Sequence, residues 1–154
     1  GPQLIIADEP TTNLDVTIQL QYLNLLKDLQ RASGVALIFV THNLGIVAKM
    51  CDKVAVMYAV RIVELQSVRG LFYNPKHPYT RALLDSIPKL GTKEPLYAIP
   101  GQPPDLSKLP TGCSFHPRCS RTMQRCRDEE PSEQPLGDGA TTRCWLPIEE
   151  VARG

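Results

Sequence analysis

Residues 4–15 read LIIADEPTTNLD, an apolar run that ends in two adjacent carboxylates, Asp8 and Glu9. A short continuous apolar run bounded by charge fits a strand buried on both faces of a parallel sheet. Thr12 or Asp15 is placed to cap a following helix. From Val16 to about Arg31, Ile18, Tyr22, Leu25 and Leu29 recur at helical spacing, and Leu23 and Leu26 widen the stripe. Gly34 is a helix stop, and VALIFVTH (35–42) is a second apolar, β-branched strand. Strand, helix and strand make a parallel crossover unit, so the chain is predicted to be α/β. In such sheets ligands bind at the carboxyl edge, where Asp8, Glu9 and His42 all fall.

Downstream, a short helix is predicted over Leu44 to Cys51. KVAVMYAVRIVEL (53–65) reads as two strands joined at Ala59 and Val60. Such a turn needs positive φ, so Val60 is a local conflict. Ser67 caps a short helix that ends before Asn74-Pro75, and HPYTRALLDSIP gives one more, with Pro78 in its first turn. His77 is read as shaping the entry to that helix. Seven of the 14 prolines lie between Pro88 and Pro117, which predicts extended chain and turns. The domain boundary is placed there, giving 1–87 and 88–154. With few aliphatic residues, the tail calls for a metal or disulfide staple.

The bulk numbers exclude several classes. At 154 residues, 42% hydrophobic and 21% charged, the chain reads as soluble and globular. A net charge of +1 with scattered Lys and Arg argues against nucleic acid as a partner. No apolar run approaches the roughly 20 residues of a membrane span, and no signal segment opens the chain, so a cytosolic location is expected.

An Asp-Glu pair at a strand end can divide its labour. The first carboxylate can hold magnesium, and the second can orient and deprotonate an attacking water, worth about 10²- to 10⁴-fold in rate. Yet no G-x-x-x-x-G-K-[ST] phosphate loop occurs in the chain. An isolated Asp-Glu would more often be a capping acid and a solvated neighbour, and a lone His42 a surface histidine. Cys51, in an apolar setting, reads as a buried filler.

Taken together, LIIADEPTTNLDVT and FVTHNLGIVAKMCDKVAVMYA resemble the nucleotide-binding subunits of ABC transporters. The resemblance implies a partial P-loop NTPase sheet of the RecA type, with Asp8 as the Walker B aspartate, Glu9 as the catalytic glutamate and His42 as the switch histidine. Asn13, Leu14 and Asp15 match the loop that meets a second subunit, and Asp15 is accordingly assigned with Asp8 to the nucleotide. HPYTRALLDSIP and the cysteine tail narrow the likeness to the oligopeptide and dipeptide importers. Asn13, Asn43 and Val60 depart from that pattern, where small residues, Asp and Gly are usual. The match covers only the C-terminal part of such a subunit; the Walker A loop, Q-loop and signature sequence would lie upstream of Leu4. The implied cofactors are ATP and magnesium, and the implied partners a second ATPase subunit and membrane permease subunits, at the cytoplasmic face of the cell membrane.

Cys113, Cys119, Cys126 and Cys144 are spaced C-x5-C-x6-C-x17-C. Four thiolates suit a tetrahedral zinc site or a four-cysteine iron-sulfur cluster. Zinc sites usually use C-x2–4-C pairs, which are missing, and a cubane accepts wider spacing. The resemblance also favours a 4Fe-4S cluster, since some members of the importer branch bind one. Zinc remains the alternative, with His116 able to replace a thiolate. Arg118, Arg121, Arg125, Arg127 and Arg143 crowd the same region and are expected to lower the thiol pKa values, unless they form only a solvated basic face. Three functional expectations follow. The first is an ABC importer ATPase subunit lacking its phosphate cradle and so inactive alone. The others are a non-catalytic iron-sulfur or zinc module, and a truncated product.

Overall fold

A computed structural model describes residues 1–88 and 97–146; residues 89–96, part of the proline-rich run, lie outside the described residues. The fold is mixed α/β, with one parallel and one antiparallel sheet. The chain divides into two compact units, Gly1–Asp52 and Lys53–Gly154.

In the first unit, strand β1 (Leu4–Asp8) pairs in parallel with β2 (Ala36–Val40), with Leu4 opposite Ala36 and Asp8 opposite Val40. Helix α1 (Val16–Ser33) crosses between them. Asp15 starts it by accepting hydrogen bonds from the Thr17 and Ile18 N–H groups, and Gly34 ends it at φ 67°, in the left-handed region that glycine enters without strain. Helix α2 (Leu44–Met50) begins on the Asn43 side chain, which accepts from Gly45 and Ile46. Asn43 is therefore a working helix cap.

The expectation of strands buried on both faces fails here. Side chains alternate across a strand, and the side of the sheet that carries Leu4, Ile6, Ile38 and Val40 is open, with Ile6 at 65% exposure. A two-stranded sheet has one covered face, and no described element of this unit lies over the other. The α1 stripe is also rotated from its predicted position. Leu23 and Leu26 are buried, whereas Ile18, Leu25 and Leu29 face outward. The unit is small, so only a narrow strip of the helix finds cover.

The second unit is built on the hairpin of β3 (Lys53–Tyr58) and β4 (Arg61–Ser67). Val54, Val56 and Tyr58 alternate inward along β3. The connecting Ala59 and Val60 both take positive φ, 46° and 68°, the tight hairpin turn that conflicts with a β-branched residue. Ser67 caps α3 (Val68–Tyr73), and α4 (Pro78–Asp85) follows a reversal at 74–77. The tail then returns to the sheet. Strands β5 (Gln134–Gly137) and β6 (Ala140–Thr142) form a hairpin through Asp138 and Gly139, and β6 pairs with β4, giving the order β3-β4-β6-β5. Thus the composition change near residue 88 is not a break in contacts. Helix α5 (Gln124–Asp128) lies in the tail, beside Gly112, whose φ of +68° and missing Cβ let the backbone of Cys126 and Arg127 approach.

Arg118 fastens the start of the tail. Its guanidinium donates to the Ile99 and Pro100 carbonyls and to the Tyr58 hydroxyl. The centre of the unit is unusually polar. Glu64 is 0% exposed and accepts from the Lys76 and His77 N–H groups, each at 2.8 Å, and from Gln66 Nε2. A buried carboxylate is tolerated only with such a set of donors.

Candidate functional site

The carboxyl end of β1 turns sharply. Glu9 follows Asp8 at φ 44°, an unfavourable conformation for a non-glycine residue, and its N–H donates to the Val40 carbonyl of β2 at 2.9 Å. That bond carries the sheet register past the strand end. It places Glu9 beside the residues that leave β2, and His42 Nδ1 lies 2.7 Å from Glu9 Oε1. Thr12 holds the other carboxylate oxygen through its hydroxyl, at 3.1 Å. Two residues 33 positions apart in sequence thereby share one hydrogen bond.

The pair is open: the His42 side chain is 83% exposed. The hydrogen bond from His42 holds the Glu9 carboxyl below its usual range, with Thr12 adding to the effect. Glu9 is accordingly ionised at neutral pH. A carboxylate with a lowered pKa is a weak proton acceptor and a good hydrogen-bond acceptor, so it orients a water better than it deprotonates one. With Nδ1 donating to Glu9, the His42 Nε2 is left facing outward. Asp8 closes β1 on the exposed side, next to Glu9 in sequence. Asp15 is engaged at the α1 N-terminus through Oδ1, at 2.9 and 3.0 Å from the Thr17 and Ile18 nitrogens.

The cysteine tail builds a different site in the second unit. Cys113, Cys119, Cys126 and Cys144 all line one narrow, tightly filled pocket, together with His77 and Trp145. None of the cysteines forms a disulfide, and Cys126 and Cys144 are buried. A backbone bond from Cys113 N–H to the Cys126 carbonyl, at 2.8 Å, seams two of the four together. Neighbouring backbone groups partly offset burial at three thiols: Phe115 and His116 at Cys113, Arg121 at Cys119, and Leu146 at Cys144 each act to lower the pKa. Among the described residues, no group of three or more His, Cys, Asp or Glu side chains stands at metal-holding distance.

The expected lowering of the thiol pKa values is overturned. Burial raises those of Cys113 and Cys119 and pushes Cys144 up to about 12. The arginines that were to offset it point elsewhere. Arg118 holds the Ile99 and Pro100 carbonyls, Arg125 lies 3.5 Å over the Trp145 ring and binds Glu129, and Arg143 pairs with Glu133. Of their charges only that of Arg121 acts on Cys119, and it is the smallest of the effects there. His116 lines the cavity too, with Nδ1 on the Cys113 carbonyl at 3.0 Å.

Residues 63–126 match the family model described as "Oligopeptide/dipeptide transporter, C-terminal region". Over 151 residues the chain is 47% identical to an oligopeptide transport ATP-binding protein of Salmonella typhimurium, covering 97% of this chain and 45% of that protein. It is 49% identical over 157 residues to a putative peptide import ATP-binding protein of Brucella ovis, covering 96% of this chain and 46% of the relative. A dipeptide transport ATP-binding protein of Escherichia coli is 44% identical over 153 residues, with 99% and 47% covered.

The chain is similar over nearly its whole length to oligopeptide and dipeptide transport ATP-binding proteins, and residues 63–126 match their C-terminal region. It spans slightly under half the length of the curated relatives it matches. The family model begins inside β4 and ends at Cys126, so it takes in the HPY helix and three of the four cysteines. Among the described residues, no helix of this chain is long and apolar enough to cross a membrane. Two central residues escaped the sequence reading. Glu64 was hidden as one acid in an apolar strand, although it falls in register with buried Gln66. His77 was read as a helix entry only, and the signal for more was its place directly before a proline at a helix start.

Proposed function

We propose that this chain supplies the water-orienting half of the ATP-hydrolysis site of an ABC importer subunit for peptides or related small solutes. The observation that carries the reading is the 2.7 Å bond between Glu9 and His42 across two parallel strand ends. Asp8 would hold magnesium, Glu9 would orient the attacking water, and the outward Nε2 of His42 would meet the terminal phosphate. Asp15, on its helix cap, would stand near the nucleotide and a second ATPase subunit. When bound, magnesium would neutralise charge on the phosphates. The bare β1–β2 face and its open edge would be covered by the rest of a P-loop-type parallel sheet.

Residues 1–87 would then form the C-terminal part of the ATPase domain and 88–154 a cysteine-rich extension. Membrane permease subunits would be the partners, at the cytoplasmic face. A phosphate-binding loop must be added to make this half-site productive, because the positioning it provides is worth up to about 7–11 kcal/mol, more than a general base supplies. The test is a chimera that places the N-terminal half of the Salmonella typhimurium relative ahead of Leu4. Magnesium-dependent ATP hydrolysis should appear, and Glu9→Gln should reduce it about 10²- to 10⁴-fold. Unchanged hydrolysis in the Glu9→Gln chimera would refute the assignment.

A second reading concerns the tail, and the lining of one pocket by all four cysteines supports it. Cys113, Cys119, Cys126 and Cys144 would ligate a 4Fe-4S cluster, with zinc as the alternative. The bound group would provide the covalent staple that a tail poor in aliphatic residues needs. Binding must displace thiol protons, so loading should strengthen as pH rises. Anaerobic reconstitution with ferrous iron and sulfide should give a broad visible absorbance and about four irons per chain. A colourless product holding one zinc would instead select zinc.

A further inference from the structure

Both oxygens of the Glu9 carboxylate are engaged, Oε1 by His42 Nδ1 at 2.7 Å and Oε2 by the Thr12 hydroxyl at 3.1 Å. The two donors come from different places in the fold. His42 reaches Glu9 from beyond the end of β2, whereas Thr12 is held by the turn that follows Glu9 itself. The Thr12 N–H donates to the Glu9 carbonyl at 3.1 Å, and two residues at positive φ frame the turn, Glu9 at 44° and Asn13 at 66°. Pro10 lies between them, with its φ fixed by its ring. The cap of α1 is Asp15, which takes the Thr17 and Ile18 N–H groups. Of the two residues placed to cap that helix, one caps it and the other turns its hydroxyl back to the carboxylate.

Backbone geometry alone does not aim a glutamate. The last torsion of its side chain is broad and roughly two-fold, so a carboxylate gripped at one oxygen still swings the other. Packing does not stop that motion here, because the Glu9 side chain is 38% exposed; hydrogen bonds must. An ionised carboxylate has about four acceptor positions, shared between its two oxygens. One donor on each oxygen therefore fixes the carboxylate plane and still leaves a lone pair on each for water. We propose that Thr12 is a positioning residue for Glu9: its hydroxyl, opposite His42, locks the plane in which the carboxylate presents a lone pair to the attacking water. The inference rests on the reading of Glu9 as the water-orienting residue. Thr12 acts only through Glu9, so its loss should slow the chemical step and leave nucleotide binding as it was.

The test compares Thr12→Val, which keeps the branched shape and removes the hydroxyl, with Thr12→Ser, which keeps the hydroxyl. Thr12 is exposed, so neither change opens a cavity. In the full 154-residue chain, NMR relaxation of the Glu9 side-chain methylene carbons reports its mobility with no nucleotide needed. The order parameter should drop in Thr12→Val and stay at the wild-type level in Thr12→Ser, with the backbone shifts of α1 unchanged in both. Equal Glu9 mobility in wild type and Thr12→Val overturns the proposal. In the chimera with the Salmonella typhimurium relative, Thr12→Val should lower kcat about 10-fold or more, the worth of a hydrogen bond to a charged group, with KM for ATP unchanged. Thr12→Ser should hold kcat near the parent value. A Thr12→Ser chimera as slow as Thr12→Val overturns the role of the hydroxyl, and so does full speed in Thr12→Val when Glu9→Gln is slow. Hydrolysis at the parent rate in Glu9→Gln instead removes the reading of Glu9 itself, a result the Thr12 variants cannot produce.

Discussion

The two units handle polar groups in opposite ways. In Gly1–Asp52 the chemistry-bearing side chains stand in the open and the apolar ones do too: His42 is 83% exposed, and Ile6 and Leu25 are each 65% exposed. In Lys53–Gly154 the polar groups are inside, with Glu64, Gln66, His77, Thr80 and Thr142 all buried. Exposed apolar surface of this kind commonly marks an interaction site. Around Glu64 that polar interior is matched by backbone donors, while the buried Thr80 and Thr122 hydroxyls have no hydrogen-bond partner among the described residues. The proposed half-site thus lies in the unit that leaves its side chains open.

The largest test of that contrast removes the buried carboxylate. Glu64→Ala strands the N–H groups of Lys76 and His77 and the Gln66 amide, at about 1–3 kcal/mol for each buried unsatisfied group. The variant should lose about 3 kcal/mol or more, and hydrogen exchange should show the loss across 53–146 with α1 unchanged. If α1 loosens equally, the two units are not independent.

Acid should act on the same interior. His77 takes a proton near pH 6.5 when unfolded but only near pH 4 when folded. Unfolded chains therefore bind more protons in that window, so stability is full above pH 6.5, falls as pH drops toward 4, and then levels off. The decrease attributable to His77 is about 3 kcal/mol. Urea midpoints of the metal-free chain at pH 7.5 and pH 4 measure it, and His77→Gln should remove that portion of the decrease.

Smaller effects lie at the edges of each unit. Val60 holds φ 68° while 72% exposed, so Val60→Gly relieves strain and loses no packing. It should raise stability by up to about 1 kcal/mol, seen as a higher melting temperature. In the first unit, Asp15→Ala removes the α1 cap and should cost about 1 kcal/mol. Faster exchange confined to the first turn of α1 would locate the loss; an unchanged rate there would deny Asp15 its capping role.

Much of this architecture was legible where periodicity is strong. Runs such as LIIAD and ALIFV are short, apolar and bounded, and Asp15, Gly34, Ser67 and Pro78 punctuate the helices where side-chain and backbone chemistry require. Burial was less legible, since a sequence specifies which residues seek cover but not whether the cover is present. Strands β5 and β6 were missed because they are four and three residues long and one contains Pro135. Their turn residues, Asp138-Gly139, were the available signal. The acid pair and its histidine could be named from strand ends, but the bond between Glu9 and His42 depends on register. Cysteine spacing pointed to one site, whereas the thiol pKa values depended on where five arginines went. Composition could not say that.

The pairing of β4 with β6 also has a timing consequence. Thr142 reaches back 79 residues to the Val63 carbonyl, a contact between the second strand of the unit and the last of its described strands. As the polypeptide leaves the ribosome, the β3–β4 hairpin can close at once, yet one edge of β4 stays unsealed until the tail emerges. Long-range strand closures of this kind are slow, and open edges recruit other chains. Synthesis therefore leaves an interval in which the nascent hairpin can pair with a neighbour. A product stopped short of Ala140 would keep that edge open for its whole lifetime.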